Sequence, residues 1–242
     1  MRLKTCAVVC AVALLAACGA SKTRQTHEGG AVAPVPMPPP AGVTAYRIDS
    51  AQSELRLLVY SAGPMARLGH NHVIVNRAVS GWVDAAGAAA AGSFSLQVPV
   101  ADFVVDDAQA RAAEAPDFSQ EVTEDARAGT RHNMLGPALL DAVRFPTITL
   151  SSIAITPAAE SQGPGTEAPS KLVATLAVQV AGHASRLTVP FKLEMAAGRI
   201  SASGTAVLRQ SDMGLTPLSV MLGALQVQDE LTVKFKLVAV KR

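Results

Sequence analysis

Alternation of apolar and polar residues is the feature that most constrains this chain. In Glu54-Leu55-Arg56-Leu57-Leu58-Val59, residues 55, 57 and 59 share one apolar face. Ser93-Phe94-Ser95-Leu96-Gln97-Val98 alternates almost strictly, and Arg186 to Glu194 places Leu187, Val189, Phe191 and Leu193 together. Thr232 to Leu237 repeats the pattern near the C-terminus. Period-two patterning over six or more residues specifies strands with one buried and one wet face. Further strands are expected at Leu68–Asn76, Phe145–Ile155, Leu172–Val180 and Ile200–Leu208. Eight or so strands without βαβ periodicity predict an antiparallel barrel or sandwich. Thr123 to Val143 lacks the alternation and is expected to be helix or loop, and Pro157 to Pro169 a long polar connection.

The N-terminus has a different character. Met1 to Ala17 carries Arg2 and Lys4, then an apolar run from Ala7 to Leu15 that is too short to span a bilayer, which is the pattern of a secretory signal. Leu15-Ala16-Ala17-Cys18 matches the bacterial lipobox, and this resemblance implies cleavage before Cys18 and acylation of its thiol, with Gly19 favouring outer-membrane sorting. Cys6 and Cys10 fall in the signal, so the mature chain keeps no cysteine pair and no disulfide framework. Residues 18–44 contain Pro34, Pro36, Pro38, Pro39 and Pro40 and read as an extended tether. The folded domain is expected over 45–242. Removing Arg2 and Lys4 from 21 basic residues leaves 19 against 19 acidic ones, a mature net charge of zero. With no basic stripe interleaved with aromatics, nucleic acid is not an expected partner.

Four segments, in order, carry a family resemblance. They are Tyr46-Arg47-Ile48-Asp49, Arg131-His132-Asn133-Met134-Leu135 with Leu140 to Pro146, Val180-Ala181-Gly182-His183, and Arg209-Gln210-Ser211-Asp212-Met213-Gly214-Leu215. From Tyr46 to Arg242 the chain resembles the YceI-like family of polyisoprenoid-binding, lipocalin-like periplasmic proteins. The resemblance implies an eight-stranded antiparallel β-barrel with a short helical insertion, its lumen holding an isoprenoid-like chain, in the envelope on the periplasmic side. Met213 stands where the family commonly has an aromatic residue.

An eight-stranded barrel is just wide enough to pack itself solid or to hold one small ligand. If hollow, its lumen is expected to be lined by Leu57, Phe94, Leu96, Val189, Phe191 and Phe235. His70-Asn71-His72, read as strand, puts both imidazoles on one side: half of a metal site, or a polar contact at the barrel mouth for a lipid head group. His132 and His183 are the candidate partners. Arg131 with His132 offers a fork for an anionic head group, or else pairs with Asp117, Glu121, Glu124 and Asp125. Asp106 and Asp107, adjacent on a strand, point to opposite faces and are expected to be solvated. Neither a Gly-x-Ser-x-Gly elbow nor a His-Glu-x-x-His pair is present, so no enzymatic activity and no cofactor is expected. Three readings follow: a membrane-anchored carrier of an apolar lipid, a metal-binding envelope protein using His70 and His72, and a structural barrel without ligand.

Overall fold

The computed structural model describes residues 39, 45–84, 92–114, 116–158 and 170–241. The segments read as signal, acylation site Cys18 and, apart from Pro39, tether lie outside these residues, as does most of the Pro157 to Pro169 connection. Among the described residues no helix is long and apolar enough to cross a membrane.

The strands follow the alternation. In chain order they are β1 (Ala45–Ile48), β2 (Glu54–Val59), β3 (Ser61–Ala62), β4 (His72–Asn76), β5 (Ser80–Asp84), β6 (Ser93–Pro99) and β7 (Val104–Val105). Two helices, α1 (Ala108–Ala112) and α2 (Glu124–Leu135), precede the long strands β8 (Thr147–Pro157), β9 (Ser170–Val180), β10 (His183–Ala196) and β11 (Arg199–Arg209). The small strands β12 (Ser219–Val220) and β13 (Leu225–Val227) and the long β14 (Glu230–Lys241) complete the chain. Strands β1, β5, β6, β8, β9, β10, β11 and β14 pair in that order, antiparallel, and β14 returns to β1. This is the closed eight-stranded barrel. Closure leaves the ring no unpaired edge.

The first strands are broken halfway, and the break shapes the barrel. After β1 the Asp49 carboxylate accepts from Ala51 N at 3.1 Å, turning Ser50–Gln52 into a short 3₁₀ turn. Ser53 Oγ then donates to Asp49 O at 2.7 Å and accepts from Val238 N at 3.0 Å. Beyond the break β2 pairs with β14, β4 with β2 and β7 with β4, so one half of the wall departs from the ring. The space this opens is filled from α2 and the segment after it. Met134, Leu135, Leu139 and Leu140 pack with Val59, Ile74, Val98, Phe103 and Leu231, and that end is closed by a core. Thr123 Oγ1 accepts from Ala126 N at the start of α2, where Glu124 and Asp125 favour the positive end of the helix dipole. A second, smaller core lies outside the wall: Leu58, Val73 and Val75 are covered by Ala110 of α1 and by Phe118, which meets the Tyr60 ring at 5.3 Å.

Candidate functional site: an apolar lumen open at one end

The other half of the barrel holds a further hydrophobic cluster with a cavity within it. Phe94 and Leu96 of β6, Leu176 of β9, Val189 and Phe191 of β10 and Phe235 of β14 surround a cavity of about 150 Å³. Its wall also carries Ala174, Ala202 and Ala239, whose small side chains leave the space free. Polar side chains enter the lining only as Asp84 and Ser93, at the ends of β5 and β6. The register places these beside Ala45, Ala196, Arg199 and Lys241, so the mouth lies at the end where β1 begins and β14 finishes. Gly204 is required here: a Cβ would lie 2.7 Å from the Phe235 ring and 2.6 Å from Pro190 O. Its absence lets the phenyl ring sit against the wall.

The YceI-like domain model matches residues 46–239. The chain belongs to the YceI-like family. Two solved structures share the fold of this YceI-like barrel. BcnA of Burkholderia cenocepacia is 21% identical over 80% of this chain and 99% of its own, with a TM-score of 0.55. A polyisoprenoid binding domain from Saccharophagus degradans, implicated in plant cell wall breakdown, is 10% identical over 83% of this chain and 99% of its own, with a TM-score of 0.51. Among curated proteins no relative matches.

Of the residues expected to line the lumen, Phe94, Leu96, Val189, Phe191 and Phe235 meet around the cavity of the YceI-like barrel. Leu57 does not. It lies on β2, past the break, and packs in the closed-end core that includes Met134.

The residues expected at the mouth lie elsewhere. β4 starts at His72, so His70 precedes the strand and the two rings sit 6.1 Å apart, inclined by 50°. His72 is buried at the start of β4, at the closed end. Its Nδ1 donates to Asp106 Oδ2 at 2.7 Å, and its Nε2 lies 3.2 Å from Thr130 Oγ1 on α2. A carboxylate only accepts, so Nδ1 carries the proton and, in the neutral ring, Nε2 accepts from the Thr130 hydroxyl. Both nitrogens are thereby engaged, and among the described residues no three His, Cys, Asp or Glu side chains converge as a metal site. Arg131 Nη2 donates to Ala101 O at 2.8 Å rather than to a carboxylate, and His132 and His183 are exposed.

The expectation for Asp106 is corrected. It sits at a left-handed corner, φ 55°, with a fully buried side chain, while Asp107 caps α1 by accepting from Ala110 N at 2.9 Å. Asp106 Oδ1 accepts from Val73 N at 3.0 Å and from Arg111 Nη1 at 2.5 Å, and Arg111 also donates to Asn71 O and Gln120 O. Burial pushes the Asp106 carboxyl up, but the hydrogen bonds from His72, Val73 N–H and Arg111 hold it below its ordinary value. Glu114 behaves alike: burial raises it, and Lys234 and Arg56 bring it down. A carboxylate–imidazole–hydroxyl series is an arrangement that can polarise a hydroxyl. Here the ring is buried between β4 and α2, and the series fastens the helix and the residue-106 corner to the barrel. Sequence reasoning missed it because its members come from three separated segments.

Proposed function

We propose that this protein is an envelope lipoprotein, acylated at Cys18 in the outer membrane and facing the periplasm, whose barrel binds or carries one apolar, isoprenoid-like lipid without catalysing a reaction. The observation that carries this reading is the lumen: an apolar cavity with polar side chains only at its mouth. The polyisoprenoid binding domain with the same fold supports it. Each methylene moved from water into such a wall contributes about 0.8 kcal/mol, so a prenyl chain binds without any directional contact. An apolar cavity of about 150 Å³ takes a guest of about benzene size. A longer chain therefore requires Phe94, Phe191 or Phe235 to turn, or the chain to extend out of the mouth. No metal is needed in this reading, and the engagement of both His72 nitrogens supports that.

The test is native mass spectrometry of the protein isolated from its own envelope without added lipid. An extra mass that organic solvent extracts is the expected result and identifies the cargo. An extra mass that a chelator removes would overturn the reading in favour of a metal at His70.

A further inference from the structure

Trp82 is the chain's single tryptophan, and it stands on the outside of the barrel. Val83, Phe94 and Leu96 line the lumen, so Trp82 of β5 and Ser95 and Gln97 of β6 face outward. An outer face ordinarily meets water, and on β10 Arg186, Thr188, Pro190, Lys192 and Glu194 are all exposed. Trp82 is instead only 7% exposed, and Ser95 and Gln97 are buried beside it. Trp82 stands opposite Ser95 and one diagonal step from Gln97, within reach of covering both. The indole itself needs another cover. Among the described residues it joins none of the three apolar clusters, and no ring or guanidinium stacks on it. Its Nε1–H and Gln97 Oε1 are buried, and neither has a hydrogen-bond partner among the described residues. An unmet donor and an unmet acceptor on one dry face both oppose folding, so each calls for a partner.

Residues 34–39, Pro-Val-Pro-Met-Pro-Pro, have the chemistry this face lacks. In polyproline II geometry the proline rings offer flat apolar faces to an aromatic side chain, and the unbonded backbone leaves its carbonyls open as acceptors. Val35 and Met37 keep their N–H groups as donors. The run is also close in the chain. Ala45 opens β1 opposite Asp84, and Arg47 stands directly opposite Trp82. From Pro39 to Ala45 the chain reaches about 20 Å, enough to turn at the rim and return over β5. Pro39 is half-buried, where a proline in a solvated spacer would be exposed. We propose that residues 34–39 dock as a polyproline II strand across Trp82 and Gln97. Nε1–H donates to a carbonyl of the run, and Gln97 Oε1 accepts from the N–H of Val35 or Met37. Docking ties the tether to the barrel's flank. With Cys18 as the anchor, the spacer shortens to residues 19–33, about 45 Å when extended, and leaves the barrel from its wall instead of across its mouth.

The test reads Trp82 directly, because one tryptophan gives one emission band and one indole N–H resonance in the full chain. Pro34, Pro36, Pro38 and Pro39 are replaced together by Gly, which removes the rings and the polyproline II preference without touching the barrel wall. The expected result is a red-shifted emission and severalfold stronger quenching by acrylamide. Exchange of Nε1–H should quicken at least about fivefold, the factor that one net hydrogen bond is worth. A cooperative urea transition in the variant shows that the barrel remains folded. Unchanged emission, quenching and exchange would overturn the proposal. In the unsubstituted protein, nuclear Overhauser contacts are expected between the indole protons and proline Hδ protons. The β5–β6 connection, residues 85–91, also adjoins Trp82 and is rich in alanine. Indole contacts to those alanine methyls, with none to proline, would overturn the proposal and assign the cover to that connection. The outcome does not depend on what the lumen binds.

Discussion

Filling the lumen separates a guest inside the barrel from one on its surface. Ala202 lines the cavity on β11, opposite Leu193 and Leu237, which line it too. Ala202→Leu adds three carbon atoms to a space of about 150 Å³ and displaces a comparable length of any chain bound there. At about 0.8 kcal/mol per methylene the loss is roughly 2.4 kcal/mol, or about sixtyfold in affinity. Stability moves the other way. The new side chain enters a void rather than a packed region, and cavity filling commonly adds about 0.5–2 kcal/mol. The assay is titration with prenols of increasing length, by displacement of a fluorescent apolar probe, with urea unfolding alongside. Weaker binding and an unchanged or higher urea midpoint are expected. Unchanged affinity in a stably folded variant would place the guest outside the lumen. A loss of more than about 2 kcal/mol of stability would mean the site is already filled and the substitution overpacks it.

Asp106→Ala removes the carboxylate that pairs with Arg111 and accepts from His72 and Val73 N–H, and should cost about 3–5 kcal/mol in urea unfolding. Asp106 and Glu114 both titrate lower in the folded chain than in the unfolded one, so their contribution is complete above the ordinary carboxylate range, about 3.9–4.3, and is lost as pH falls through the folded values. The urea midpoint should therefore drop on acidification below about pH 4, less steeply for Asp106→Asn with Glu114→Gln, and a rise would contradict the assignment. Leu222 holds a left-handed φ of 56° and is fully exposed, so Leu222→Gly should relieve about 1 kcal/mol and raise Tm by roughly 2–4 °C. Cys18→Ser should move the protein from the detergent phase to the aqueous phase in a phase-partition assay, and retention in the detergent phase would refute acylation at that residue.

The barrel was legible because a wall with one wet face must alternate, and the long strands of the ring carry that signature, whereas β5, where Gly81, Trp82 and Val83 do not alternate, left no such trace. β8 to β11 and β14 match their expected spans within a few residues. Helix α2 was less so, although Thr123 followed by Glu124 and Asp125 is a helix-start signal that the absence of alternation did not bring out. Reading Leu68–Asn76 as one strand failed because Ala66–Leu68 forms a turn and the strand begins only at His72. That shift removes the shared face of His70 and His72. Burial of Asp106 depends on His72, 34 positions away, and on Arg111 across a helix, a combination with no local period. The cavity-lining residues were legible as apolar faces. Which of them border empty space was not, because that depends on where α2 fills the barrel and where it stops.

The helix that closes one end gives the barrel a single neck. On the proposed reading, a guest cannot thread through; it must back out the way it came. Loading and unloading then share one route and compete for it, and the part of the guest left at the neck is the last to enter and the first to leave. Whatever receives the guest must take hold of it at that exposed end, so discrimination between donors and acceptors falls to the neck, while the lumen sets how firmly the guest is held.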